Sequence, residues 1–181
     1  AQHRLHRNRR LTAAPAEPAG GRWRGWGITP SWSRVVNVRS HDGEIHRWHV
    51  LDPGPSAPGS ATLLCVHGNP TWSYAWKSFL SRFGDTHRVI AIDQLGMGYS
   101  QRLGASHRPR RYRERVADLA DLIDELQIGV DTALVLAAHD WGGAIAMGWA
   151  VQHADRVAGQ GHVHTGLGIP GGRSGPKNTW A

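Results

Sequence analysis

LVLAAHDWGGAIAMGWA, residues 134–150, runs a buried-strand pattern into an apolar helix through one aspartate and two glycines. Its first part, Leu134 to Ala138, is an unbroken apolar run of the kind that sits inside a parallel sheet. Its second part is apolar nearly all round, as a helix packed between layers is. A joint this sharp demands small residues two places before and two after its centre. Ala138 and Gly142 meet that demand, and Asp140 is the centre. An ionised carboxylate is costly in a joint built for burial, so its presence asks for a chemical reason.

Outward from this joint the pattern repeats. ATLLCVH (61–67) and HRVIAID (87–93) read as two more buried strands. After GNPT comes a helix with Trp72, Trp76, Phe79, Leu80 and Phe83 on one face, and YRERVADLADLIDELQ (112–127) has the three-and-four spacing of an amphipathic helix. SRVVNVRS and EIHRWHVLD, split by His41-Asp42-Gly43, read as a β-hairpin. A hairpin followed by alternating strands and helices predicts an α/β fold, a mostly parallel sheet with helices on both faces. From about residue 158 the pattern fails, because glycine and histidine stand where Val, Ile or Leu would be expected. The expected organisation is a disordered basic tail over 1–30, the core over 31–158 and an irregular tail over 159–181.

The net charge of +7 belongs to one end of the chain. Residues 1–40 hold eight arginines and one glutamate, and the remaining residues balance to zero. A neutral body argues against nucleic acid as the partner. No apolar run is long enough to span a membrane, and no apolar stretch follows Arg9-Arg10 to make a secretory signal. The one cysteine, Cys65, lies in a strand pattern and excludes a disulfide framework, so a cytoplasmic location is expected. No motif asks for a cofactor or a metal. His162 and His164 have no accompanying carboxylate or cysteine.

Three residues or motifs end strands where ligands bind in a parallel sheet: HGNP (67–70), Asp93 and Asp140. AHDWGG matches a nucleophile elbow, whose usual central residue is serine. A serine there needs a base before it attacks an acyl carbon. A carboxylate is already ionised, and the helix N-terminus after it favours that charge. It suits displacement of a good leaving group from an sp³ carbon, giving an ester on Asp140 that water must then cleave. That second step needs an oxyanion hole and a general base. The backbone N–H of Trp141 and one from the Asn69 loop are the candidate donors, with the indole and amide side chains beside them. Asp93 reads as a turn-stabilising carboxylate and His139 as structural.

HGNPTWSYAWK (67–77), DQLGMGYS (93–100) and AHDWGG (138–143) together resemble the haloalkane dehalogenases within the α/β-hydrolase superfamily, over roughly residues 31–158. The resemblance implies an α/β-hydrolase fold, Asp140 as nucleophile, and Asn69 and Trp141 as halide-binding and oxyanion donors. It implies a small apolar substrate: a haloalkane or, in the related β-lactone decarboxylases and epoxide hydrolases, a β-lactone or an epoxide. Epoxide hydrolases more often read HGFP or HGWP in the earlier loop, and Asn69 speaks against them. The family's base is a histidine far downstream, beyond a helical lid, whereas 41 residues follow Asp140 here. The expectation is a truncated or frame-disrupted form lacking the lid, the last strands, the base and its acid, with little turnover. A non-catalytic binding fragment is the alternative of another class.

Overall fold

A computed structural model of the chain describes residues 20–54, 58–104 and 109–165. Six strands form one sheet: β1 (Ser33–Arg39), β2 (Ile45–Leu51), β3 (Thr62–Val66), β4 (Arg88–Ile92), β5 (Leu134–His139) and β6 (Val157–Val163), in the spatial order β1-β2-β4-β3-β5-β6. The β1–β2 hairpin is antiparallel and joins β4 in antiparallel pairing, while β4, β3, β5 and β6 run parallel. The helices among the described residues are α1 (Gly20–Gly25), α2 (Lys77–Phe83), α3 (Tyr112–Glu125) and α4 (Trp141–Ala150).

The strands alternate between two cores, as a pleated sheet covered on both faces requires. Leu64, Val66, Ile90, Ile92, Leu134 and Leu136 face α3 and α4, where Leu119, Leu122, Ile123, Ile145 and Trp149 pack on them. Cys65, Val89, Ala91 and Ala137 face the other way, against Trp23, Ile28, Trp76 and Leu80. Burial pushes the Cys65 thiol up, so it stays protonated and packs as a small apolar group. The chain leaves β5 toward β6 on one side and leaves its neighbour β3 toward β4 on the other. The crevice beyond the carboxyl ends of β3 and β5 is a topological switch point, where open α/β sheets bind ligands.

Two expectations need correction. The basic segment expected to be disordered over 1–30 is ordered from Gly20: α1 leads into a 3-10 turn at Pro30–Trp32, and Trp23 is 2% exposed. Charge counting missed that two indoles, Trp23 and Trp26, supply apolar area enough to dock the segment. Residues 1–19 lie outside the described residues. Residues 159–163, expected to be irregular, belong to β6, which pairs in parallel with β5 through a register shift at Leu134/Val135. Backbone hydrogen bonds hold an edge strand whose Gly159 and Gly161 contribute no side chain, so its sequence carries no apolar signature. Residues 166–181 lie outside the described residues.

Candidate active site

Asp140 sits between β5 and α4 with φ 54° and ψ −127°, outside the regions that non-glycine residues ordinarily occupy. Such a conformation costs on the order of 1–3 kcal/mol and persists only when the surroundings impose it. The surroundings are specific. Ala138 is fully buried, and a Cβ on Gly142 would collide with the carbonyl oxygens of Val66 and His67. The elbow is therefore pressed against the end of β3. The backbone N–H of Asp140 donates to the Val163 carbonyl at 3.1 Å, which ties the elbow to the end of β6 as well.

The carboxylate is received by two main-chain donors. The Trp141 N–H is hydrogen-bonded to it, and the Asn69 N–H donates to Oδ1 at 3.0 Å. These bonds, Trp141 first, hold the Asp140 carboxyl below the usual carboxylate range. The two donors are the pair that the sequence nominates for the oxyanion hole, and the structure brings both onto one oxygen-bearing group. The Trp141 side chain is 55% exposed and Asn69 is exposed, so both also border solvent at the same mouth. Asp140 is half-buried.

Sequence reasoning missed how the Asn69 loop is held. Gly68 passes so close to the elbow that a Cβ there would lie 2.5 Å from Asp140 Oδ1 and 2.8 Å from the His139 carbonyl. His67 is fully buried: its Nδ1 lies 2.7 Å from the Gly68 carbonyl and its Nε2 accepts the Gln94 N–H at 3.0 Å. The two partners fix a neutral ring with its proton on Nδ1, and burial pushes its pKa down in agreement. His67 thus braces the loop from beneath rather than facing the site. A histidine next to glycine in a strand-end motif was the available signal, but it does not distinguish a brace from a base.

Asp93 holds the same loop at its far end. It is fully buried and accepts the Ser73 N–H at 2.6 Å, the Tyr99 N–H at 2.7 Å and a bond with His49 Nδ1 at 2.8 Å. Ser73 opens the 3-10 turn (Ser73–Trp76) that follows Asn69 and Pro70, so the turn-stabilising reading of Asp93 agrees with the geometry. His139 is half-buried, with its ring 5.9 Å from that of exposed His164. Among the described residues, no hydrogen bond links an imidazole to the Asp140 carboxylate.

Among the described residues, donor atoms of His41, Asp118 and Asp121 come within 4.8 Å of one another. They join the β1–β2 turn to α3 rather than the elbow. The His41 N–H and Nδ1 contact Asp121 at 2.8 and 2.9 Å, and Arg110 Nε lies 3.2 Å from Asp118, so the group is an ion-pair network. His162, on β6, lies 2.9 Å from the Gln160 side chain. No helix among the described residues is long and apolar enough to cross a membrane.

With this geometry in hand, comparison with known proteins gives a consistent picture. Residues 61–160 match the family model described as alpha/beta hydrolase fold. The chain is 39% identical over 112 residues to a cis-3-alkyl-4-alkyloxetan-2-one decarboxylase of Xanthomonas campestris, covering 59% of this chain and 36% of that protein. It is 43% identical over 104 residues to a haloalkane dehalogenase of Mycolicibacterium smegmatis, covering 57% of this chain and 33% of that one. The crystal structure of the ancestral haloalkane dehalogenase AncHLD2 superposes with a TM-score of 0.62 at 27% identity, over 73% of this chain and 42% of that structure. The matched region spans about a third of the length of these curated relatives.

Proposed function

Because the chain belongs to the alpha/beta hydrolase fold family, we propose that Asp140 is its nucleophile and that it opens haloalkanes by the first half-reaction of a dehalogenase. One carboxylate oxygen attacks the carbon that bears the halogen. The C–O bond forms, the carbon–halogen bond breaks, and the halide leaves with the electron pair toward the Asn69 and Trp141 side chains. The observation that carries this reading is the Asn69 N–H to Asp140 Oδ1 hydrogen bond at 3.0 Å, together with the Trp141 N–H. The same two donors are placed to stabilise the oxyanion when the ester carbonyl is later attacked.

The second half-reaction needs a general base to activate water. We infer that ester formation on Asp140 outpaces ester cleavage, since both ring nitrogens of His67, the buried imidazole beneath the Asn69 loop, are engaged by backbone groups. The test is halide release from a reactive bromoalkane in excess. One halide per folded chain, without turnover, supports the proposal; sustained release contradicts the resting ester, and no release contradicts the nucleophile.

A second reading is favoured by the decarboxylase relative, whose name specifies a cis-3,4-dialkyl oxetan-2-one. Attack of Asp140 on the sp³ ring carbon would form an ester C–O bond and break the ring C–O bond, freeing a carboxylate toward the same donors; loss of CO₂ then forms the C=C bond as the ester C–O bond breaks and Asp140 is released. Loss of CO₂ with alkene formation from a cis-dialkyl β-lactone, against halide from a bromoalkane, separates the two readings.

A further inference from the structure

A second line of catalytic residue types lies away from the elbow. Ser33 on β1, His49 on β2 and Asp93 after β4 are joined end to end: Ser33 Oγ lies 3.0 Å from His49 Nε2, and His49 Nδ1 lies 2.8 Å from Asp93 Oδ2. The strand register produces this. Ser33 pairs with Leu51 and Val35 with His49, so Ser33 and His49 stand diagonally on one face of the hairpin.

The proton positions follow from the carboxylate. Burial opposes the charge of Asp93, yet the hydrogen bond from His49 and those from the N–H groups of Tyr99 and Ser73 keep its carboxyl below the usual range. An ionised carboxylate only accepts, so the shared proton sits on His49 Nδ1. In the neutral ring Nε2 is then an acceptor, and the Ser33 hydroxyl is the group able to donate to it. Trp23 lies parallel to the imidazole, 5.8 Å away and 8° from coplanar, and Tyr99 meets it edge-on at 5.4 Å. His49 and Asp93 are fully buried while Ser33 is half-buried, so the hydroxyl is the end of the line nearest solvent.

Nucleophile bonded to base, and base bonded to a buried acid that itself accepts two backbone N–H groups, is the arrangement that activates a hydroxyl for acyl transfer. We propose that Ser33 is a second nucleophile of this chain, with His49 as its base and Asp93 as the orienting acid, and that it takes the acyl group of aryl esters. Ser33 Oγ bonds to the acyl carbon as its proton passes to His49 Nε2. The bond from carbon to the aryl oxygen breaks, and the phenoxide leaves with that proton. Water, deprotonated by the same Nε2, then cleaves the acyl-serine. A phenoxide is a good leaving group, so an aryl ester is the acyl donor that asks least of the serine. Nothing in this site depends on Asp140.

The probe is a fluorophosphonate, diisopropyl fluorophosphate, applied to the whole chain. Ser33 Oγ–P forms, P–F breaks, and fluoride leaves while His49 takes the hydroxyl proton. The expected result is one adduct on Ser33, in the peptide between Arg24 and Arg34, formed about 100-fold faster in the folded chain than in urea. His49→Gln, with circular dichroism confirming the fold, is expected to slow it by about the same factor. If that variant unfolds, the folded-to-urea ratio of the parent chain decides. Equal rates folded and unfolded, labelling of Ser31 instead, or a folded His49→Gln that labels at the parent rate would show a structural brace and overturn the proposal. The elbow reaction is read with bromoalkane on a different peptide, so either site can fail alone.

Discussion

The backbone N–H of Asn69 meets Oδ1 of Asp140 at 3.0 Å, although the two residues are 71 positions apart. The contact exists because Gly68 brings β3's exit loop against the elbow without a side chain between them. Gly68→Ala puts a Cβ 2.5 Å from that oxygen, and one of the two groups has to move. Displacing a reacting group by about 1 Å slows its attack by about 10²-fold. Alkylation of Asp140 in Gly68→Ala is expected to fall by that factor while the chain stays folded, read as adduct formation against time. An unchanged rate would mean that the contact plays no part.

Asp140 has its carboxyl held below the ordinary 3.8 by the N–H groups of Trp141 and Asn69. A depressed value leaves the nucleophile fully ionised above 3.8 and lost only as pH falls through its folded-state value. The alkylation rate is therefore expected to be flat from pH 8 to about pH 4 and to drop below that. A midpoint at or above pH 5 would contradict the geometry of the donors.

Burial pushes the Asp118 carboxyl up to about 6, against the opposing pull of Arg110, His41 and His46, with Asp121 adding to the rise. The folded value lies above the unfolded one, so the contribution is fully present below the ordinary 3.8 and lost as pH rises through 6. Asp118→Asn removes the charge and keeps the shape. Its urea midpoint should gain on the parent between pH 4 and pH 7.5, by on the order of 1–3 kcal/mol. A difference between the two chains that does not vary with pH would count against a strained, buried carboxylate.

Trp23 carries the docking of Gly20–Gly25. It packs with Ile28, Leu51 and Trp76, and it meets Trp26 edge-on at 5.6 Å. Trp23→Ala should cost about 3–5 kcal/mol in a denaturant titration. A cost near zero would return residues 20–30 to the status of a tail.

The inner strands were legible because each carries four or five consecutive apolar residues that the sheet buries on both faces: Thr62–Val66, Arg88–Ile92 and Leu134–His139. β6 was not, since parallel pairing with β5 supplies through the backbone what Gly159 and Gly161 cannot supply through side chains. Asp140 and its two donors were legible because a sharp strand-to-helix joint restricts its neighbours to small residues. His67 and Gly68 carry no such local constraint; their roles arise from the closeness of β3 and β5, which only the fold creates. The line from Ser33 to Asp93 joins residues 60 positions apart through hairpin register, and no local pattern announces it.

The central claim is that Asp140 is the group that bonds to carbon. Incubation of the folded chain with a reactive bromoalkane, followed by intact-mass measurement and peptide mapping, tests it most directly. The account predicts one alkyl group per chain, as an ester on Asp140 that alkaline hydroxylamine removes, and none in folded Asp140→Asn. An unmodified folded chain, or an adduct that maps elsewhere and survives in Asp140→Asn, would contradict it.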